Sequence, residues 1–339
     1  MPCKAIHWLI PGFFVLNKSH MGNNSPLCYD FKMDNPLSPS ALTFSTDLTC
    51  VEFIGKKVIE LLQGLATTDV RNLQQDDVRP TLFCQHQGKV FAIGYLLMRQ
   101  TDVIWLLTPP AHAKQILTRL VPHCQLARVK MHPRSVRCEA QHSKVAASDG
   151  SYSAKSTTNQ VTFNLDAQTK VTVEDIDDTD HTPFPSPQWY NWQIQAQIPV
   201  LDEHNLLQFT PNQLNLVPSS WVSLKKGCYC GQEIIARTHH LGKVKRVLTR
   251  YQINSSAMPP VPSGTILTFT ATGQKIIVLA TVNTTQVSWL QAVGPKLSES
   301  QDWLDLVNTD NSQQSIRVRD CQHTSHHVSA ENQNVDTRA

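Results

Sequence analysis

The sequence predicts an α+β protein whose C-terminal part is all-β. Strand-like and helix-like patterns alternate between residues 49 and 131, with neighbouring strands paired across short turns. From Val247 the pattern changes to short strands separated by turns. The length of 339 residues corresponds to two domains, or to one large domain with a small one.

The elements of the first part follow from the spacing of apolar residues. Residues 49–54 (TCVEFI) predict a strand. Val58, Leu61, Leu62 and Leu65 then recur at the i, i+3, i+4 and i+7 positions of one helix face. The next predicted elements are a hairpin at 82–86 and 89–98, a strand at 102–108, a helix at 111–121 and a strand at 126–131.

The later elements are separated by polar segments. Residues 140–160 are small and polar and predict a long loop or an insertion, after which strands follow at 160–165 and 169–173. Beyond Val247, four short strands are spaced as in a small barrel or sandwich. From Asn308 the chain contains few apolar residues, so we expect a disordered tail.

The composition excludes several classes of protein. No stretch of about 18 apolar residues occurs, so we expect no transmembrane helix. The net charge of +3 is too small to argue for a nucleic acid or a membrane by itself. The nine cysteines are odd in number and include no C-x-x-C pair, which argues against a disulfide framework and a zinc ribbon. We therefore expect reduced thiols in a cytoplasmic protein.

The first residues allow three interpretations. An apolar run at 5–16 follows Lys4, as in the hydrophobic part of a signal peptide. No small-x-small cleavage site follows it, so we favour a mis-assigned start with Met21 as the true first residue. An organelle-targeting peptide is the third interpretation.

Residues 225–246 (KKGCYCGQEIIARTHHLGKVKR) form the most unusual segment. Gly227 and Gly231 flank a Cys-Tyr-Cys sequence and predict a tight turn that presents a side chain at the surface, and a helix begins at Gln232. A cysteine beside lysines and near a helix start is more reactive than a thiol in a core. We therefore expect Cys228 to be a reactive thiol, and a cysteine merely buried in a loop is the alternative.

Positive charge surrounds this turn. Between residues 225 and 250, seven Lys and Arg residues accompany a single acid. This density favours an anionic ligand, and a solvated surface is the alternative. The seven cations are Lys225, Lys226, Arg237, Lys243, Lys245, Arg246 and Arg250.

The same segment resembles a known family signature. Residues 225–237 (KKGCYCGQEIIAR) are similar to K-G-C-Y-x-G-Q-E of the YgfZ family, which comprises folate-binding, tRNA-modification-related proteins within the wider group of GcvT, the glycine-cleavage aminomethyltransferase. Residues 198–216 (IPVLDEHNLLQFTPNQLNL) resemble the family segment that precedes this signature, and residues 61–70 (LLQGLATTDV) resemble its helix and turn. The resemblance covers roughly residues 45–295.

The resemblance implies a ring of α+β subdomains around a central cavity, with a small C-terminal β-barrel. The predicted division of the chain is an N-terminal extension at 1–40, a folate-binding α+β region at 41–243, a β-barrel at 244–307 and a disordered polar tail at 308–339. It implies tetrahydrofolate in the cavity and a role in iron–sulfur protein assembly or repair and in tRNA thiolation. The implied partners are iron–sulfur enzymes or assembly factors. We expect the protein to be a monomer, to contact tRNA only indirectly or weakly, and to bind no membrane.

Site roles follow from the same resemblance. The family's folate-contacting tryptophan corresponds to Trp189, with Trp192 as a local competitor, and a second one falls near residue 48, where this chain has Leu48. Cys228 is the reactive thiol. The further cofactor-binding candidates are Lys226 and Arg237 for the anionic glutamyl tail, Gln232 and Glu233 for the pterin edge or for capping the turn, and Tyr229.

Other polar residues are less specific. Asp69 and Asp202 stand where a turn carboxylate acts as a cap, so neither is interpreted as catalytic and no catalytic set is defined. The pairs His239-His240 and His326-His327 have no carboxylate or cysteine at ligand spacing, so no metal site is predicted.

Two further functions stay open. A tetrahydrofolate-dependent aminomethyl transferase is the alternative that the shared fold group suggests, and the cysteine-centred signature argues against it. The second open function is direct tRNA binding by the basic segment, although the sequence contains no RNA-recognition motif that would support this function.

Overall fold

The computed structural model describes residues 41–143, 154–157, 159–176, 185–217, 219–254, 261–284, 287–297, 303–308 and 315–321. These residues form two five-stranded sheets, a closed six-stranded barrel and five helices. The predicted N-terminal extension and the pair His326-His327 lie outside the described residues.

Helices and strands alternate in the first part, and strands alone follow residue 245. In chain order the elements are β1 (Ala41–Ser45), β2 (Thr49–Ile54), α1 (Val58–Leu65), β3 (Val78–Cys84), β4 (Val90–Gln100), β5 (Val103–Thr108), α2 (Pro110–Arg119), α3 (Val121–Ala127), β6 (Lys130–Arg134), β7 (Val136–Ser143), β8 (Ala154–Ser156), β9 (Gln160–Asn164), β10 (Thr169–Asp175), α4 (Pro187–Gln195), α5 (Gln232–Leu241), β11 (Arg246–Ile253), β12 (Ile266–Phe269), β13 (Lys275–Asn283), β14 (Ser288–Pro295), β15 (Leu304–Asn308) and β16 (Ser315–Asp320).

The first sheet has the antiparallel order β3-β4-β5-β2-β6 and separates two apolar cores. Along β4, Tyr95 and Leu97 pack in the central core, whereas Leu96 and Met98 pack in an outer core with α1, α2 and α3. Alternate residues of a strand face opposite sides of a sheet, so both faces of this one are apolar. This explains why its strands appear in the sequence as continuous apolar runs.

The second sheet has the order β1-β7-β10-β9-β8. Its inner residues, such as Phe163 and Val171, join the same central core as the first sheet, the helix α4 and one side of the barrel. The segment between α4 and α5 also contributes, through residues such as Phe209 and Trp221. One apolar core therefore connects the two sheets and the barrel, as the predicted ring arrangement requires.

The barrel corrects the prediction for the end of the chain. It has six strands, in the order β11-β14-β13-β12-β15-β16, and β16 pairs with β11 to close it. The segment 315–320 was predicted to be disordered, but Ile316 and Val318 alternate into the barrel core. Two apolar residues within a polar segment are too weak a pattern to predict a strand. The segment forms one because the other barrel strands leave an unpaired edge, to which it hydrogen-bonds.

A second correction concerns residues 126–131, which were predicted as a strand. The structure has the end of α3, a left-handed residue at Arg128 (φ 57°) and then β6. Cys124 is buried, and Leu126 faces solvent. The apolar run therefore belongs to two elements separated by a helix end. Within the described part of the chain, no helix is both long and apolar enough to span a bilayer.

Candidate functional site

The signature loop, residues 225–231, is hydrogen-bonded to the end of α1 and to the segment that follows it. The N–H of Cys230 donates to the carbonyl of Gly64 at 3.1 Å. The hydroxyl of Thr67 donates to the carbonyl of Trp221 at 2.7 Å, just before the loop begins. Two of the segments that carry the family resemblance, 61–70 and 225–237, therefore bind each other in the folded chain.

Lys226 holds the first half of the loop. Its side chain is 5 % exposed, and its Nζ donates to the carbonyl oxygens of Ala66 and Thr68, each at 2.7 Å. The ammonium also lies 5.1 Å from the ring centre of Tyr229, and burial lowers the pKa of Lys226 to about 8. Two of the three N–H donors of Lys226 are therefore engaged inside the protein, and its predicted contact with an anionic tail stays a prediction.

Tyr229 and Gly231 hold the second half. Tyr229 is 6 % exposed, and burial raises the pKa of its hydroxyl well above the usual range. Gly231 is left-handed (φ 83°), and a Cβ there would lie 2.7 Å from the carbonyl oxygen of Gln85 and 3.0 Å from the Cα of Gly88. The start of α5 is thus packed against the β3–β4 turn at a distance that only glycine allows.

The remaining signature residues lie away from the central cavity. Gln232 donates from Nε2 to the carbonyl of Lys226 at 3.3 Å, which agrees with its interpretation as a residue that caps the turn. Glu233 and Arg237 are exposed on α5, and neither side chain has a hydrogen-bond partner among the residues that the structure describes. None of these three lines the central cavity.

Cys228 is presented at the surface. Of the seven cysteines in the described part of the chain, all are free and Cys228 is the exposed one. Its side chain lies at a cavity of about 850 Å³ that we call the α1–α3 groove. Apolar residues of α1, the β3–β4 hairpin and α3 line this groove, including Leu61, Leu65, Phe83, Phe91, Leu120 and Leu126.

The central cavity, which lies beside β4 and α4, is much smaller. Its volume is about 20 Å³, and Leu48, His112, Gln193 and Trp221 are among its lining residues. A single water needs about 10–15 Å³, whereas pockets for small molecules measure about 300–1,000 Å³. The space is therefore large enough for one water and too small for a pterin ring.

Trp189, the predicted folate contact, lies in the core. Its side chain is 0 % exposed and does not line the central cavity. The ring stacks on Trp192 with centroids 4.9 Å apart, and Nε1 donates to Oδ1 of Asp47 at 2.6 Å. Both the face and the polar edge of Trp189 are therefore engaged by other side chains.

Two buried titratable residues at the central cavity were missed by the sequence analysis. Burial raises the pKa of Asp47 to about 6, although the hydrogen bond from Trp189 opposes this. Burial lowers the pKa of His112 to about 4; its Nε2 donates to the carbonyl of Leu201 at 3.0 Å, and its Nδ1 accepts the N–H of Ile93 at 3.2 Å. Neither residue belongs to a recognisable motif, so the sequence carried no signal for them.

Asp69 and Asp202 are turn carboxylates, as predicted. Oδ1 of Asp69 accepts the N–H of Arg71 at 3.1 Å, and the Arg71 guanidinium holds the pKa of Asp69 down to about 2. Oδ1 of Asp202 accepts the N–H of His204 at 3.0 Å. Among the described residues, no cluster of three or more His, Cys, Asp or Glu side chains could hold a metal ion.

The seven cations of the basic segment do not form one surface. Lys226 is buried, and so is Arg250, whose guanidinium donates to the carbonyls of Gln195 and Cys321. Arg246 donates to the carbonyl of Val293. The fold therefore uses three of the seven cations internally, which weakens the prediction of an anionic ligand at this segment.

Comparisons with known proteins agree with the motifs. No family model matches the chain. The tRNA-modifying protein YgfZ of Yersinia pseudotuberculosis is 26 % identical over 243 residues, covering 65 % of this chain and 73 % of the relative. The protein of the same name from Yersinia enterocolitica is 24 % identical over 249 residues, covering 67 % and 76 %.

A solved structure shows the fold. The crystal structure of glycine cleavage system aminomethyltransferase T from Bartonella henselae superposes with a TM-score of 0.63 at 10 % identity, covering 83 % of this chain and 85 % of that one. The chain is thus similar in sequence to the YgfZ proteins and has the GcvT-like fold, as its motifs at 61–70, 198–216 and 225–237 indicated.

Proposed function

We propose that this protein supports tRNA modification by serving iron–sulfur enzymes or their assembly factors, with Cys228 as its working thiol. The relatives are named tRNA-modifying proteins, and all the fixed positions of their signature are present here. The observation that carries the proposal is the exposure of Cys228 at the α1–α3 groove, while its flanking residues are fixed by the fold.

The geometry supports a thiol that is exposed to a partner rather than buried in the core. Lys226 fixes the loop before Cys228, and Tyr229 and Gly231 fix it afterwards. An exposed thiol on a fixed loop can react with a partner at a constant position. Free cysteines in the described part of the chain agree with a reducing compartment, so we place this function in the cytoplasm.

Tetrahydrofolate, which the resemblance implies, has no step in this proposal. The central cavity of about 20 Å³ has no room for it, and Trp189 is engaged elsewhere. The same packing gives no support to the alternative of an aminomethyl transferase.

The proposal is tested in cells that lack the native protein, by measuring thiolated nucleosides of tRNA with mass spectrometry. We expect Cys228→Ser to abolish complementation and Cys230→Ser, two residues away on the same loop, to retain it. Both variants should reach wild-type abundance, because neither substitution changes the size of a core residue. Full complementation by Cys228→Ser would exclude the thiol role.

A further inference from the structure

The α1–α3 groove has the character of a protein-binding surface. Its lining is mostly apolar, and Leu126 at one side is 89 % exposed. Leu61 and Leu65 on α1 are only partly buried on the other side. A groove with leucines on two helices is the kind of surface that accepts the apolar face of an amphipathic helix.

The charged residues at the groove are two cations and one acid. Lys57 and Arg119 are the exposed cations of its lining, and Glu60 is the one acid there. The guanidinium of Arg119 lies over the ring of Phe91, with 5.4 Å between Cζ and the ring centre. Charge complementarity therefore favours an occupant with acidic residues beside its apolar face.

The aromatic residues argue against RNA as the occupant. Phe83, Phe91 and Tyr229 are the Phe and Tyr residues of the groove lining, and they are 0 %, 5 % and 6 % exposed. Binding of unpaired bases depends on aromatic faces that are open to stacking. The floor of the groove therefore offers no open Phe or Tyr face for stacking, and the exposed rings of the lining are those of His86 and His123.

We propose that the α1–α3 groove docks an acidic, leucine-bearing helical segment of a client protein and so brings it to the Cys228 thiol. The inference rests on the proposed function, in that the client is a protein served by this chain. It adds the recognition site and the chemistry of the recognised segment. Leu126 supplies apolar contact, and Lys57 and Arg119 supply the charge.

A direct test selects peptides of about 12 residues, roughly three helical turns, from a random phage-displayed library on the full chain. We expect enriched peptides to carry Leu or Met at i, i+3 or i+4 spacing together with Asp or Glu. Leu126→Glu should weaken their binding about tenfold or more, because it removes an apolar contact and adds a like charge. Leu241→Glu is the matched control, since Leu241 is 83 % exposed on α5 and lies outside the groove.

Three results would overturn the inference: no enrichment, enrichment without an acidic bias, or equal binding to wild type and Leu126→Glu. Displacement of the selected peptides by unmodified tRNA would overturn it too, in favour of an RNA surface. In cells, loss of complementation by Leu126→Glu but not by Leu241→Glu supports the docking site. If Cys228→Ser fails to complement while Leu126→Glu complements fully, the docking site is wrong and the proposed function stands.

Discussion

At the scale of single residues, burial decides which polar side chains are available for chemistry. Lys226 and Trp189 were both predicted to contact a cofactor. Both are buried: Lys226 donates to two backbone carbonyls, and Trp189 donates to Asp47. Cys228, in the middle of the same signature, is exposed. The signature therefore contains residues that build the loop and one residue that the loop presents.

Asp47 leads to a prediction about pH. Its pKa is raised from 3.8 to about 6 in the folded protein, so folding favours the protonated form. The stability associated with this proton is fully present below pH 3.8 and is lost as the pH rises through 6. Asp47→Asn removes the buried charge and keeps an oxygen that accepts the N–H of Trp189. Above pH 6, we expect the free energy of unfolding of the variant to exceed that of the wild-type protein by up to about 3 kcal/mol.

The measurement is urea unfolding of both proteins between pH 4 and pH 8. The two free energies of unfolding should converge near pH 4, where Asp47 is protonated in the native state. His112 acts in the opposite direction: its pKa is lowered to about 4, so stability present above 6.5 is lost as the pH falls through 4. That contribution is common to both proteins and cancels in the difference. A pH-independent difference would contradict the assignment.

At the scale of elements, the signature loop is shaped by its contacts with α1 and with the β3–β4 turn. The segment after α1 accepts Lys226, and the turn at Gly88 packs on Gly231. These contacts join parts of the chain that are more than 100 residues apart. They give a physical reason for the two motifs to occur together.

The two glycines of the signature should differ in their tolerance of a side chain. Gly231→Ala places a Cβ in a left-handed backbone and against the main chain of the hairpin, so we expect a loss of about 2–3 kcal/mol of unfolding free energy. Gly227→Ala is the matched control, because a Cβ there meets nothing within 4 Å. Its effect should stay within about 0.5 kcal/mol. Chemical denaturation distinguishes them, and equal losses would refute the packing argument.

At the scale of the whole molecule, the central core fills the ring. Both sheets, α4 and the barrel contribute to it, and about 20 Å³ of space is left at the centre. A fold can be shared while the side chains at its centre differ, so the GcvT-like fold alone does not provide room for a ligand.

The packing of the centre predicts the outcome of a folate titration. Calorimetry and tryptophan fluorescence should show no binding of tetrahydrofolate that depends on Trp189, so the wild-type protein and Trp189→Ala should behave in the same way. The reason is that a pterin would have to displace several buried side chains. Saturable binding that is lost in Trp189→Ala would mean instead that the central core opens around Trp189 to admit the ligand.

The sequence by itself determined the local elements and the family resemblance. α1, the β3–β4 hairpin and α5 were predictable because apolar spacing and turn residues act over a few neighbouring positions. The strand β16 and the helix end before β6 were not, because their apolar signals are short and depend on the surrounding elements.

Only the tertiary structure decided which signature residues are free to act. The burial of Lys226 and Trp189, the proton affinities of Asp47 and His112, and the volume of the central cavity all result from segments that are distant in sequence. A sequence motif shows which residue types are present. Whether a side chain faces solvent, a groove or a core depends on the packing of the whole chain around it.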